Sequence, residues 1–368
     1  MNQSLYDRLQ ILKPRDREME PEERLRAMER PLLSWYKEHA RSLPWREKPE
    51  PYRVWISEIM LQQTRVEAVK PYFERFMKAL PGIYELAEVP EDRLLKLWEG
   101  LGYYSRAKNL KKAARLLVEK YGGELPASWE ELKKLPGIGS YTAGAIASIA
   151  YGIAVPAVDG NVLRVISRVT GSREDILKQS VKNRMEAQLM EIIPEEAASS
   201  YNQGLIEIGA LVCVPNGVPL CSQCPLASVC AARIKGLTGE IPVKTPKKAR
   251  RAENKTVMVL WCQGRVAIRR REDTGLLASL YELPNLEGCL DEEAVLSSLG
   301  VKEAKIEPLL ASKHIFSHVE WHMTGFRVEL PDRFPDGPFD DFLWVTPEEV
   351  KKIYSLPNAF KAYTKLIR

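Results

Sequence analysis

"LPGIGSYTAGAIASIAYGIAVPAVDGNVLRV", from Leu135 to Val165, is the stretch on which the fold turns. Gly137 and Gly139 bracket a single isoleucine, and Tyr141 follows two residues on. A helix that stops at Pro136-Gly137 and another that begins near Ser140 leave a tight hairpin between them. Its glycines let the backbone bend sharply and present N–H groups beside a helix N-terminus, which holds a phosphate without any charged side chain. A plain connection between two helices, with no ligand, uses the same residues. Further on, Asp159 is the one acidic residue of the stretch and directly precedes the apolar-periodic "GNVLRVISRV". Aspartate is a favoured N-cap, a role that accounts for it alone and that also holds a carboxylate rigid and ionised.

Outward from this point helical periodicity continues on both sides, from about Pro31 to Leu237. In "SWEELKKLPGIG", Ser128 and Glu131 have capping-box spacing, and Leu132 and Leu135 form an apolar stripe. Similar signals flank "PYRVWISEIMLQQTRVEAVKPYFERFM" and "AKNLKKAARLLVEKYGG". In the first of these Trp55, Ile59 and Gln62 share one helix face while Glu58 and Leu61 lie to the side, where a glutamate is ordinarily solvated. Near Thr245 the character changes. "KTVMVLWCQGRVAIRRR" is two β-rich runs about a Gln263-Gly264 turn, "HVEWHMTGFRVEL" is strand-like, and "DEEAVLSSLG" between them reads as a helix. A helical domain of about 210 residues thus precedes an α/β domain of about 115 residues. The linker run "KTPKKARRAENK", Lys244 to Lys255, has six basic residues and one acidic one, and either attracts a polyanion or is simply a solvated connector.

The 368-residue chain is 45% hydrophobic and 28% charged, the profile of an ordinary globular protein. Its net charge of +5 permits a polyanionic partner without demanding one. No signal-peptide core or membrane-length apolar window is present, so a cytoplasmic protein with no membrane partner is expected. Four of the six cysteines follow the pattern Cys213-x7-Cys221-x2-Cys224-x5-Cys230. In a reducing compartment that favours a metal site over a disulfide framework, with an iron–sulfur cluster, a structural zinc and no metal all open. The run lacks histidine and carboxylate, so it reads as a structural staple rather than a reaction centre. His314, His318 and His322 invite a metal reading too, but period-2 alternation puts His318, Glu320 and His322 on one strand face, and no metal is expected there.

Taken together, "SLPWR" (Ser42 to Arg46), "WISEIMLQQT", "WEGLGYYSRAKNL", "LPGIGSYTA", "VPAVDGNVLRV" and the cysteine loop make the chain resemble the helix-hairpin-helix DNA glycosylases, and within them the adenine DNA glycosylases of the MutY family. The resemblance covers nearly the whole chain from about Leu32. It implies a multidomain α and α/β protein: an N-terminal extension (1–24), an all-helical helix-hairpin-helix glycosylase domain with a cluster loop (25–237), a basic linker (238–254) and a Nudix-like α/β domain (255–368). It implies one 4Fe–4S cluster on Cys213, Cys221, Cys224 and Cys230, although the family usually has six residues between its first two cysteines and this chain has seven. The partner implied is double-stranded DNA carrying adenine opposite 8-oxoguanine or guanine, bound by a monomer on the bacterial nucleoid. The reaction implied is hydrolytic removal of that adenine.

Residue by residue, the resemblance makes Glu58 the acid that protonates adenine N7, with its pKa raised in a pocket closed by Trp45 and the flipped base. Asp159 steadies the oxocarbenium-like sugar, as the second carboxylate of a glycosidase does, and Tyr141 and Asn161 hold Asp159 and order water. Related strand-cutting enzymes have a lysine where Tyr141 stands; a tyrosine cannot form a Schiff base, which implies a glycosylase without efficient lyase activity. The resemblance further implies that Arg41, Trp45, Arg46, Thr64, Gly137 and Gly139 contact the DNA or base. Gln63, Leu101 and Tyr103 form the wedge that enters the opened stack, although Leu101 and Tyr103 also suit ordinary core packing. By the same resemblance Phe316, Ser317 and His318 are expected to form the loop that reads 8-oxoguanine. The acidic helix of true Nudix hydrolases is missing, so recognition without nucleotide hydrolysis is expected of the C-terminal domain. Two other readings are a glycosylase–lyase for oxidised pyrimidines, opposed by Tyr141 and the second domain, and a DNA- or nucleotide-binding redox sensor.

Overall fold

A computed structural model describes residues 18–246, 249–301, 304–331 and 341–367. Most of the expected N-terminal extension, and Lys247 and Lys248 of the linker, lie outside them. The chain divides into two compact units, residues 1–58 with 125–246 and residues 59–124 with 247–368. The division falls inside the helix Pro51–Leu61, directly after Glu58.

The first unit is helical. Its centre is the helix Ala198–Leu211, which packs against Glu29–His39, Ser140–Tyr151 and Gly160–Thr170. Two glycines allow the close approach. A Cβ on Gly204 would lie 3.0 Å from Leu32 Cδ1, and one on Gly209 would lie 2.5 Å from Asn161 Cβ. The shared core includes Leu32, Val162, Val165, Ile166, Val169, Tyr201, Leu205 and Ile208, and each such aliphatic side chain stabilises the fold by roughly 1.5–3 kcal/mol when fully buried. The helix before the hairpin is shorter than "SWEELKKLPGIG" suggests, spanning only Trp129–Leu132, with the Ser128 hydroxyl accepting from Glu131 N at 3.4 Å.

The second unit joins the helices Val66–Ala79, Ile83–Glu88, Glu91–Trp98 and Ser105–Tyr121 to a mixed sheet that has seven strands among the described residues. The strands are β1 (Arg251–Cys262), β2 (Arg265–Arg270), β3 (Tyr281–Glu282), β4 (Asn285–Glu287), β5 (Lys305–Ile315), β6 (Val319–Glu329) and β7 (Leu343–Val345). They run in the order β3-β2-β1-β6-β5, with β4 on β1 and β7 on β2. β1 and β6 pair in parallel from Arg251↔Val319 to Trp261↔Glu329. Thr256 to Leu260 of β1 are buried without a break, as a strand covered on both faces must be. Gln263 and Gly264 both take positive φ, 48° and 71°, the tight hairpin geometry their sequence indicates. β1 begins at Arg251, so the last four residues of the expected linker are already strand. In β6, Val319, Trp321 and Met323 are buried and alternate with Glu320 and His322. The C-terminal segment holds residues 95–100 by hydrogen bonds from Ser355 Oγ to Leu95 O (3.2 Å), Leu356 N to Glu99 Oε1 (2.9 Å) and Asn358 Nδ2 to Gly100 O (3.1 Å). No helix among the described residues is long and apolar enough to cross a membrane.

Candidate active site

Glu58 is not the solvated helix residue its position suggests: it is 6% exposed, between Ile56, Ser57, Ile59 and Met60, all of them buried. The helix Pro51–Leu61 is covered on more sides than its apolar stripe alone requires. Burial pushes the Glu58 carboxyl up to about 7; a hydrogen bond from Tyr141 opposes this, the charge of Asp159 adds to it, and Arg46 lowers it slightly. Tyr141 arrives in the first turn of Ser140–Tyr151 because Gly137, at φ 78°, turns the chain and Gly139 caps the helix with extended backbone. Its hydroxyl donates to Glu58 Oε2 at 2.5 Å. The phenol thus bonds one carboxylate while the charge of the other, Asp159, also acts on it. Burial raises the Tyr141 phenol well above its ordinary range.

Asp159 is the N-cap of Gly160–Thr170, with Oδ1 accepting from Asn161 N and Val162 N, each at 2.8 Å. Asn161 Nδ2 donates to Oδ2 at 2.7 Å. These donors and Arg164 favour the ionised form, but burial is the larger influence and raises the Asp159 carboxyl above its usual range. The cap alone does not decide its charge. Arg164 in turn donates to Asn161 Oδ1 (2.8 Å), Gly209 O (2.6 Å) and Cys213 O (2.7 Å), fixing the amide that orients Asp159. Asn202 braces the segment that leads to Asp159, accepting from Ala157 N and donating to Val155 O, both at 2.9 Å. That segment crosses Ser140–Tyr151 at Gly144, where a Cβ would lie 2.0 Å from Pro156 O. Only glycine fits there.

Arg41 and Arg46, expected to meet DNA or base, both ion-pair with Glu207, which is fully buried on Ala198–Leu211. Arg41 Nε donates to Glu207 Oε2 at 2.8 Å and Arg46 Nη1 to Oε1. Trp45 between them in sequence is buried. Glu207, Arg164 and Asn202 escaped the sequence reading. Their signal was polar residues inside the apolar runs "YNQGLIEIGALV" and "GNVLRVISRV".

In the second unit, Gln63 is exposed at φ 58° and Thr64 half-buried. Leu101 is buried, whereas Tyr103 is 46% exposed at φ 48°. The Tyr103 hydroxyl lies 3.0 Å from Ser317 Oγ. Phe316, Ser317 and His318 form the turn between β5 and β6; Phe316 packs edge-on to His314 and Trp321, while Ser317 and His318 are exposed. A cleft of about 1020 Å³ in this unit has Tyr72, Lys96 and Lys361 among its lining residues and is lined by none of Glu58, Asp159 and Glu207. Gly137 and Gly139 are exposed at the tip of their hairpin.

Cys213, Cys221, Cys224 and Cys230 are all free thiols, and all four line one cavity, with Arg168 Nη1 3.2 Å from Cys213 Sγ. Among the described residues no group of three or more histidine, cysteine or acidic side chains is spaced to hold a single metal ion.

A helical unit that buries a glutamate beside an N-capping aspartate, in a chain whose other unit is built on a mixed sheet, defines the class. The family described as HhH-GPD superfamily base excision DNA repair protein matches residues 56–195, and the NUDIX domain family matches residues 256–366. A non-covalent endonuclease III–DNA complex superposes with a TM-score of 0.50 at 28% identity, over 60% of this chain and 99% of that one. The adenine DNA glycosylase of Buchnera aphidicola subsp. Baizongia pistaciae is 37% identical over 295 residues, 80% of this chain and 83% of its own. That of Homo sapiens is 33% identical over 382 residues, 86% of this chain and 70% of its own. The chain belongs to the adenine DNA glycosylase family.

Proposed function

We propose that this chain is a monofunctional glycosylase of base excision repair that, as a monomer on duplex DNA of the nucleoid, flips and hydrolytically removes adenine paired with 8-oxoguanine or guanine. The observation that carries the reading is Glu58: a buried carboxyl at about 7, under the field of a second carboxylate that is held by three hydrogen bonds. Two carboxyl groups with separated duties are what cleavage of a glycosidic bond requires.

Adenine must leave the stack before it is attacked, at a cost of a few kcal/mol. Tyr141 occupies one oxygen of Glu58, which leaves the other to carry the proton given to adenine N7. Protonation turns the base into a neutral leaving group. The C1′–N9 bond then breaks, and Asp159, whose two oxygens are fixed by Asn161 and Val162, faces the positive sugar until water adds at C1′. Tyr141 stands where a Schiff-base lysine would be needed for strand cleavage, and its raised pKa makes the phenol a poor nucleophile. Gln63, Leu101 and Tyr103 serve as the wedge, Gly137 and Gly139 as a phosphate cradle, and Phe316, Ser317 and His318 as reader of the opposite base.

The donor set of the cysteine cavity, four soft thiols with two arginines and neither histidine nor carboxylate in the lining, fits a 4Fe–4S cluster. Cys213, Cys221, Cys224 and Cys230 would hold it, and it would supply a cross-link that ties the two ends of this loop together. Purified protein should contain about four irons per chain and absorb in the visible; stoichiometric zinc without iron overturns this assignment.

The central test is base release from a duplex with adenine opposite 8-oxoguanine. The wild type should yield free adenine and an intact abasic strand, with no imine trapped by borohydride. Asp159→Asn should slow release by at least about 10³-fold while binding persists. Near-normal turnover of that variant, or a stoichiometric trapped imine, removes the proposed roles.

A further inference from the structure

We propose that Arg106 is the positioning residue of the wedge: its guanidinium ties the two turns that carry Gln63 and Tyr103 into one rigid insert. The proposal rests on the functional reading above and adds to it a residue that touches neither base nor sugar.

Arg106 lies in the first turn of Ser105–Tyr121 and is 9% exposed. Among the described residues its hydrogen bonds go to carbonyl oxygens. Nη1 donates to Ile59 O (2.8 Å), Met60 O (3.2 Å) and Gln62 O (2.6 Å). Nη2 donates to Leu101 O (3.1 Å) and Gly102 O (2.9 Å), and Nε reaches toward Tyr103 O at 3.4 Å. Ile59 and Met60 belong to the last turn of Pro51–Leu61, where carbonyls lack helical partners and the helix dipole is negative, so a buried cation is stabilised there without an acid. The rings of Trp98 and Tyr103 flank the guanidinium carbon at 5.4 and 5.6 Å. Burial lowers the Arg106 pKa to about 10, which leaves it charged at neutral pH.

The two turns it joins are both unusual. Gln63 and Tyr103 are non-glycine residues in the left-handed region, at φ 58° and 48°. An L-residue keeps that conformation only where its surroundings impose it, and such residues gather at functional sites. Both side chains are exposed at the ends of turns whose own backbone carbonyls point inward to one guanidinium. A side chain that must part stacked bases needs a stiff mount, because a yielding turn folds back instead of entering. Lysine cannot replace the fork: an ammonium is a point donor with three N–H groups and cannot span both turns in one plane.

The test uses the full chain with Arg106→Lys and compares single-turnover adenine release from two substrates, a duplex with the adenine paired and a strand with the same adenine unpaired. Arg106→Lys should lose about 100-fold on the paired target and only a few-fold on the unpaired one, and 2-aminopurine placed at the target should no longer brighten on mixing. Equal losses on both substrates, or no loss on the paired one, overturn the proposal. Should the variant unfold, amide hydrogen exchange in the wild type decides: residues 62–64 and 101–104 should open together as one unit, and independent opening overturns it. A wild type that releases no adenine from either substrate refutes the functional reading, while the exchange result still judges the mount by itself.

Discussion

Replacing Glu58 with glutamine is expected to abolish base release, leave duplex binding largely intact, and make the folded protein more stable above about pH 7. The two effects share one cause. Burial raises the Glu58 carboxyl from an ordinary 4.5 to about 7. Below pH 4.5 the group is neutral in both folded and unfolded chains and favours neither. As the pH rises, the unfolded chain gains by ionising while the folded chain must keep its proton or bury a charge. Stability conferred by the neutral form is therefore lost progressively up to about pH 7 and stays lost beyond it. The shift corresponds to on the order of 3 kcal/mol. Glutamine is neutral at every pH and escapes the penalty. Thermal melts of wild type and Glu58→Gln should nearly coincide below about pH 4 and separate at pH 8 with the variant higher; a lower variant at pH 8 contradicts the burial argument. Wild-type base release should decline as pH rises through about 7, when the acid is lost. The site thus keeps its acid at a cost in stability.

Glu207 gives the second large effect, in the opposite direction. Glu207→Gln removes the one charge shared by Arg41 and Arg46, whose side chains are 28% and 17% exposed while that of Glu207 is 0% exposed. Breaking a buried pair costs 3–5 kcal/mol because a charge is stranded, and partial exposure of the arginines moves the expectation to roughly 3 kcal/mol in urea unfolding. Base release should fall as well, because Arg46 is also among the charges acting on Glu58. An exposed pair makes the contrast: Lys352–Glu348, with side chains 70% and 72% exposed, is worth about 0.5 kcal/mol or less. A Glu207→Gln chain as stable as the wild type would mean that the arginines find water as good a partner.

The parts of this architecture that local sequence determines were legible. The glycine hairpin before Ser140, the Asp159 cap, the Gln263-Gly264 turn and the alternation in β6 each follow from residues within a few positions of one another. The burial of Glu58 was not legible, because a helical wheel shows which side is apolar but not how many sides are covered. Arg41 and Glu207 stand 166 residues apart, and no periodicity marks a bond of that span. The same holds for the parallel β1–β6 pair and for Arg106, which in "YYSRAKNL" looks like one more surface cation at a helix start. Its partners are main-chain carbonyls, which every residue has and no sequence displays.

The way the chain is shared between its units bears on its synthesis. Residues 59–124 leave the ribosome early, yet Leu95, Glu99 and Gly100 bond to Ser355, Leu356 and Asn358, about 260 positions later. That face stays bare until translation is nearly over, a period when a chaperone or a wrong partner competes for it. Early termination past residue 250 would then do more than delete the sheet, because it would leave half of a folding unit without its other half.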